Sequence, residues 1–299
     1  MEHTENKMPS VCLLCDNKDV KFLFKVKDHF LSGESFSLFQ CSECGLIFTS
    51  PAPNENIIDQ YYKSEKYISH AAKPTNLFEF IYQQVRHFTL SRKANIALKY
   101  AHGKKLLDIG CATGEYLHTC QKKGFDVFGV EPNQRAREIA FINNGLNIED
   151  LEGLNTFRPG TFDAISMWHV LEHVHDINER MVQIDRLLKQ DGVAIIALPN
   201  FESYDATFYK DAWAAYDVPR HLFHFNRKSF STLAEKHGFK IRKILPMKFD
   251  AYYVSLLSEK YKNGKGSAIK ALFIGLRSNI KAKMKQGNYS SLIYVISKK

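Results

Sequence analysis

From Lys105 onward the chain alternates short apolar runs with helix-period segments, and this alternation limits the fold more than any other feature. "KLLDIG" is a short apolar strand, residues 114 to 123 form a helix, "DVFGV" is a second strand, and "NQRAREIAFINN" is a helix that Gly145 ends. "LNIED" reads as a third strand and "FDAISMW" as a fourth. "INERMVQIDRLLK" reads as a helix with Ile177, Met181, Ile184, Leu187 and Leu188 on one apolar face. "GVAIIALP" is a fifth strand, stopped by Pro199. Strands separated by helices at this spacing pair in parallel and are covered on both faces, so the class is α/β. Ligands of such sheets bind at the carboxyl ends of the strands.

Ahead of the sheet, Cys12, Cys15, Cys41 and Cys44 form two C-x-x-C pairs with 25 residues between them. Two such pairs suit four thiolates on one zinc ion. Gly45 permits a tight turn after the second pair. "VKFLFKVKDHFLSGESFSLFQ" alternates as short strands around Ser32 and Gly33. Residues 1–53 are expected to be a zinc ribbon with a structural zinc, too small to fold without its metal. Cys111 and Cys120 stand apart. "MEHTENKMPS" lacks the apolar run of a signal peptide, and no stretch of about 18 apolar residues occurs. The expectation is a cytoplasmic protein with reduced thiols. "SPAPNEN" is a turn-rich linker, and residues 76 to 101 read as a helix with Phe78, Ile81, Tyr82, Val85, Phe88 and Leu90 at apolar positions.

"LLDIGCATGEYL" joins the first strand to its helix. Gly110 and Gly114 let the backbone turn sharply and approach a ligand, while Cys111, Ala112 and Thr113 keep the loop small. The spacing is D-x-G-x-x-x-G, not the G-x-G-x-x-G that cradles a pyrophosphate, and this counts against a dehydrogenase. The second strand, "VFGVE", ends in Glu131, whose carboxylate can accept both hydroxyls of a ribose.

With "VFGVEPN", "IEDLEGL" and "FDAISMWHVLEHVHD", this loop resembles the class I S-adenosylmethionine-dependent methyltransferases, over roughly Phe78 to Leu245. The final run from Tyr289 to Ser297 fits their antiparallel last strand. The resemblance implies a Rossmann-like, mostly parallel sheet and S-adenosylmethionine as cofactor. It implies that Asp108 and the Gly110–Gly114 loop, Cys111 included, hold the methionine part and that Glu131 holds the ribose. Asp150 and Leu151 would flank the adenine, and Met167 and Trp168 would line the site beyond the fourth strand. Residues 54–103 would then be a linker and helix capping the cofactor site. Residues 104–299 would be the methyltransferase domain with a basic C-terminal helix and final strand.

"WHVLEHVHD" contains H-x-x-E-H, a zinc-peptidase pattern, but its place after the fourth strand puts it at the acceptor side of the sheet instead. "VLEHV" resembles the post-strand motif of ubiquinone-pathway O-methyltransferases. Some methyltransferases of RNA 3′ ends hold a metal with E-x-x-E-H and a later histidine; here His169 replaces the first glutamate, and "VPRHLFHF" supplies His221. His169, Glu172, His173 and His221 are the candidate catalytic residues, as a metal site, as a base with its orienting partner, or as groups that only shape the turn.

Phe201, Tyr204, Phe208, Tyr209, Trp213, Tyr216 and Phe223 follow the fifth strand and are either core or the lid of an acceptor pocket. "KSFSTLAEKHG" is a helix, and Phe239 to Leu245 a strand. The net charge of +9 is uneven: from Lys240 on, 14 Lys/Arg face only Asp250 and Glu259, so the preceding residues sum to −3. The helix around Ile269 to Met284 has Ile269, Leu272, Phe273, Leu276 and Ile280 on one face, with Lys270, Arg277, Lys281, Lys283 and Lys285 largely elsewhere. It can dock on an anionic membrane, hold an acidic substrate, or pack on the domain with a solvated basic face. The whole chain resembles bacterial methyltransferases that pair a ribbon with this fold and act on sugars, quinone or phenol precursors, or surface-polysaccharide precursors. A small-molecule acceptor is expected, by O- or C-methylation, because the slightly acidic body does not suit nucleic acid. The alternatives are a nucleic-acid methyltransferase and an inactive zinc-ribbon binding protein.

Overall fold

The structure, a computed structural model, describes residues 11–62, 77–264, 266–284 and 287–299. The polar start "MEHTENKMPS" and Lys285 lie outside the described residues, as do the side chains of Phe78, Ile81 and Tyr82. The strands are β1 Val20–Lys27, β2 Ser35–Cys41, β3 Ile47–Ser50, β4 Lys105–Ile109, β5 Asp126–Val130, β6 Phe162–Trp168, β7 Leu188–Pro199, β8 Phe223–His224, β9 Phe239–Pro246 and β10 Ser291–Lys298. The α-helices are α1 Glu55–Ile58, α2 Leu77–Tyr100, α3 Glu115–Lys122, α4 Gln134–Asn144, α5 Gly153–Thr156, α6 Ile177–Leu187, α7 Tyr204–Tyr209, α8 Arg227–Lys236, α9 Asp250–Asn263 and α10 Ala268–Met284.

The main sheet runs β5-β4-β6-β7-β10-β9. β4 pairs in parallel with β5 and β6, and β6 with β7; β10 is antiparallel to both β7 and β9. The fold is the α/β, Rossmann-like methyltransferase sheet, mostly parallel. β6 is buried nearly throughout and β7 from Gly192 to Leu198, as expected of central strands covered on both faces. Asn133 and Asp176 cap α4 and α6 by accepting backbone N–H groups, and Gly145 ends α4 at φ 65°.

Several sequence expectations change. "LNIED" forms no strand: Glu149 makes a single parallel bridge to Val130, and Asp150 at once turns to accept the N–H groups of Glu152 and Gly153. Leu188 leaves the α6 face, because its extended backbone already pairs with Phe162. The stretch after Pro199 is largely ordered by α7, and Tyr209, Trp213, Tyr216 and Phe223 are core. The buried Asp205 carboxylate accepts from Trp213 Nε1 (2.8 Å), Ser278 Oγ (2.6 Å) and Ser290 Oγ (2.6 Å) and so ties this stretch to α10 and the start of β10.

The N-terminal sheet runs β1-β2-β3-β8, its last strand coming from the far side of position 53. Cys12, Leu14, Phe39, Leu46 and Phe48 share one apolar cluster with Ile177, Met181, Phe223 and Leu233. The Arg220 guanidinium, buried over Phe30, pairs with Asp28 at 2.9 Å and with Asp217 at 2.7 Å. Asp28 itself accepts the N–H groups of Phe30, Leu31 and Ser32 and shapes the β1–β2 turn.

Candidate active site

The glycine loop sits at the carboxyl end of β4. Gly110 and Gly114 have φ of 73° and 76°, a region that L side chains rarely adopt. A Cβ on Gly110 would lie 2.6 Å from Val170 Cγ2, so this glycine also lets the loop close on the turn after β6. Glu131 anchors the loop. Its carboxylate accepts Ala112 N–H at 2.9 Å and Asn133 N–H at 3.0 Å, and each oxygen keeps a second lone pair for a ligand. Burial raises the Glu131 carboxyl above its usual range, although these backbone bonds oppose the shift.

Asp108 is buried at the loop's base. Burial lifts its carboxyl to about 7, against the Ser166 hydroxyl, which donates at 2.6 Å, and the charge of Lys93. A buried carboxylate so weakly compensated gains from a cation, and a sulfonium or ammonium group fits it. Asp150 and Leu151 lie exposed beyond β5, where they can border a ring. The Cys111 side chain instead turns into the core. Met167 is fully buried, while Trp168, one position on, is half-buried. Trp168 packs edge-on against Tyr116, with rings 5.3 Å apart, and under Lys93 Nζ at 4.5 Å. Its indole N–H has no partner among the described residues.

His169 follows at φ 59°, with both ring nitrogens on carboxylates: Nδ1 3.3 Å from Glu172 Oε1 and Nε2 3.0 Å from Asp250 Oδ2. Only the imidazolium donates from both nitrogens. Burial alone would lower its pKa, but hydrogen bonds and charge from Asp250 and Glu172 outweigh it and raise the pKa to about 9. His169 is therefore a clamped cation at neutral pH, which argues against its use as a general base. The folded pKa is above the ordinary 6.5, so the clamp's contribution to stability is complete below about pH 6.5 and is lost as pH rises through about 9. An NMR titration is expected to find the His169 imidazole protonated until about pH 9; titration near 6.5 contradicts the clamp.

Glu172, His173 and His221 converge behind it, with potential ligand atoms all within 4.8 Å of one another. His173 Nδ1 donates to the Arg220 carbonyl at 3.0 Å and lies 2.9 Å from the Tyr62 hydroxyl; His221 Nδ1 donates to Ala215 O at 2.9 Å. These bonds leave the Nε2 lone pairs free to ligate, and buried Glu172 Oε2 has no partner among the described residues. The three groups are compatible with a divalent ion.

Sequence reasoning missed Lys93 and Asp250. Lys93 is one polar position among many on α2. Asp250 carried a signal, being one of only two acids in the basic tail.

At the N-terminus the Sγ atoms of Cys12 and Cys44 are 3.6 Å apart, and those of Cys15 and Cys41 3.5 Å, with all four within 4.8 Å. Zinc bound at about 2.3 Å gives tetrahedral edges of about 3.8 Å. The four thiols are compatible with that ion.

This loop, carboxylate and sheet are those of a methyltransferase domain. The chain belongs to the methyltransferase-domain family, whose sequence profile matches residues 66–244. Among curated proteins it is similar to the ubiquinone biosynthesis O-methyltransferases of Chromobacterium violaceum and Pectobacterium carotovorum. The first is 30% identical over 110 residues, 34% of this chain and 45% of that protein. The second is 33% identical over 98 residues, 30% of this chain and 41% of that protein. The matches thus span less than half the length of these relatives. The fold is shared with a SAM-dependent methyltransferase from Archaeoglobus fulgidus (17% identity, TM-score 0.50, 75% of this chain and 100% of that one). It is also shared with geranyl diphosphate C-methyltransferase from Streptomyces coelicolor (14% identity, TM-score 0.51, 82% and 98%).

Proposed function

We propose that the enzyme methylates a small-molecule acceptor, at oxygen or carbon, held against Trp168 and Lys93 at the carboxyl end of β6. The observation that carries this reading is the half-buried Lys93 ammonium over Trp168, charge-balanced by Asp108 and Asp250. A single ammonium beside one ring suits a small acceptor, whereas RNA needs an extended basic surface. Similarity to ubiquinone-pathway O-methyltransferases supports a phenol-like acceptor; sugar and surface-polysaccharide precursors share the needed hydroxyl or acidic carbon.

Asp108 and the backbone of the Gly110–Gly114 loop hold the methionine part of the cofactor, and Glu131 the ribose. Asp150 and Leu151 flank the adenine. Trp168, with Met167 beneath it, floors the acceptor side. Bound S-adenosylmethionine supplies a methyl carbon already activated as a sulfonium, so the protein's task is alignment. Lys93 donates a hydrogen bond to the acceptor and lowers the pKa of an acceptor hydroxyl. His169, locked between Glu172 and Asp250, fixes the shape and charge of the wall. Glu172, His173 and His221 would hold a divalent ion behind it, and Cys12, Cys15, Cys41 and Cys44 the structural zinc. The ribbon serves the catalytic body through the Arg220–Asp28 pair and β8.

The test is release of S-adenosylhomocysteine with phenols, with nucleotide-linked sugars and with total RNA. Turnover is expected with a small acceptor. Lys93→Met should lower it roughly a hundredfold while cofactor affinity is kept. Turnover confined to RNA would overturn the reading.

A further inference from the structure

α10 packs through its small residues rather than its large ones. Ala271, Ile274, Gly275, Ser278 and Ala282 are buried. A Cβ on Gly275 would lie 2.7 Å from Tyr252 Cδ1, so α9 and α10 approach closely there. The apolar stripe faces outward: Ile269 is 85% exposed, Leu272 61%, Phe273 59%, Leu276 47%, Ile280 50% and Met284 79%. These residues follow an i, i+3, i+4, i+7 pattern along a helix of 17 residues. Isolated exposed apolar residues need no explanation, but a continuous stripe of six marks an interaction surface.

The surrounding charge identifies the occupant. α10 contains no acid. Lys262 lies 5.5 Å from the Phe208 ring centre, and Arg277 and Lys281 lie 5.3 and 4.0 Å from that of Tyr204. Lys283 is exposed nearby. Lys270 is neutralised by the buried Glu259 carboxylate at 3.0 Å, whereas Arg277, Lys281 and Lys283 form no ion pair among the described residues. A second copy of this chain would bring the same basic flank against itself. An anionic lipid surface complements both the stripe and the flank.

We propose that α10 docks this enzyme on an anionic membrane. The helix lies in the interface with its apolar stripe among the acyl chains and its lysines at the headgroups. It does not span, since no described helix is long and apolar enough to cross a bilayer. Asn279 Nδ2 donates to the Lys248 carbonyl at 2.9 Å, two residues before the Asp250 that clamps His169.

Vesicle sedimentation of the full chain tests this. Binding is expected to vesicles of phosphatidylcholine mixed with phosphatidylglycerol, and roughly tenfold or more weaker to phosphatidylcholine alone or at high salt. The combined Leu272→Ser, Phe273→Ser and Leu276→Ser variant should lose the binding while keeping its melting temperature and S-adenosylhomocysteine affinity. Equal binding by variant and wild type overturns the proposal. So does a wild-type protein that stays in the supernatant with every vesicle. A dimer that the triple substitution dissolves, without vesicle binding, assigns the stripe to a second copy and overturns it too.

Discussion

Replacing Cys41 and Cys44 together with serine is expected to remove one zinc per chain and lower the melting temperature by on the order of 10 °C or more. Structural zinc sites contribute about 10–16 kcal/mol of apparent binding energy, comparable with the whole stability of about 5–15 kcal/mol typical of a domain. The loss should not stay in the ribbon. β3 pairs with β8, the cysteines share a cluster with Ile177 and Met181, and Arg220 holds Asp28 with side chains only 3% and 0% exposed. Unfolding the N-terminal sheet would take Asp28 from the buried Arg220 and leave it Asp217 alone, and breaking one side of a buried ion pair costs up to about 3–5 kcal/mol. Elemental analysis with scanning calorimetry checks this. A variant without zinc that melts like the wild type would sink the structural role. Metal that persists in it is expected at Glu172, His173 and His221.

Glu131→Ala should weaken S-adenosylmethionine binding by roughly a hundredfold or more, since two charge-assisted hydrogen bonds are lost at about 1.5–3 kcal/mol each. The same substitution releases the Ala112 and Asn133 N–H groups that position the glycine loop. Glu131→Gln, which retains one acceptor oxygen, should fall between. Calorimetric titration measures both, with circular dichroism to show that the fold persists. Unchanged affinity in the alanine variant would mean that the ribose is held elsewhere.

The parts legible in the sequence are those whose local chemistry admits one solution. Gly110 and Gly114 occupy a backbone region costly to other residues, and the double C-x-x-C spacing brings four thiols together. The apolar face of α6 was legible by period, but its end was not. Periodicity carries Leu188 onto the helix, while pairing with Phe162 pulls it into β7. "LNIED" has a strand's composition, but only the bonds between Gly129, Glu149 and Glu131 form before Asp150 turns the chain. The period of α10 left open whether its apolar stripe faced the domain or the outside; the stripe faces outward because α9 selects the small residues for close approach. Pairs such as His169 with Asp250 and Arg220 with Asp28 join segments 81 and 192 residues apart. No local pattern announces them, so the clamp that makes His169 a cation emerged only from the folded chain.

A crystal structure with S-adenosylhomocysteine tests the central claim most directly. The account predicts the ribose hydroxyls on the Glu131 carboxylate, the adenine beside Asp150 and Leu151, and the homocysteine amine toward Asp108, with its sulfur facing Trp168 and Lys93. A ligand bound away from the Gly110–Gly114 loop, or with Glu131 turned from the ribose, would contradict it.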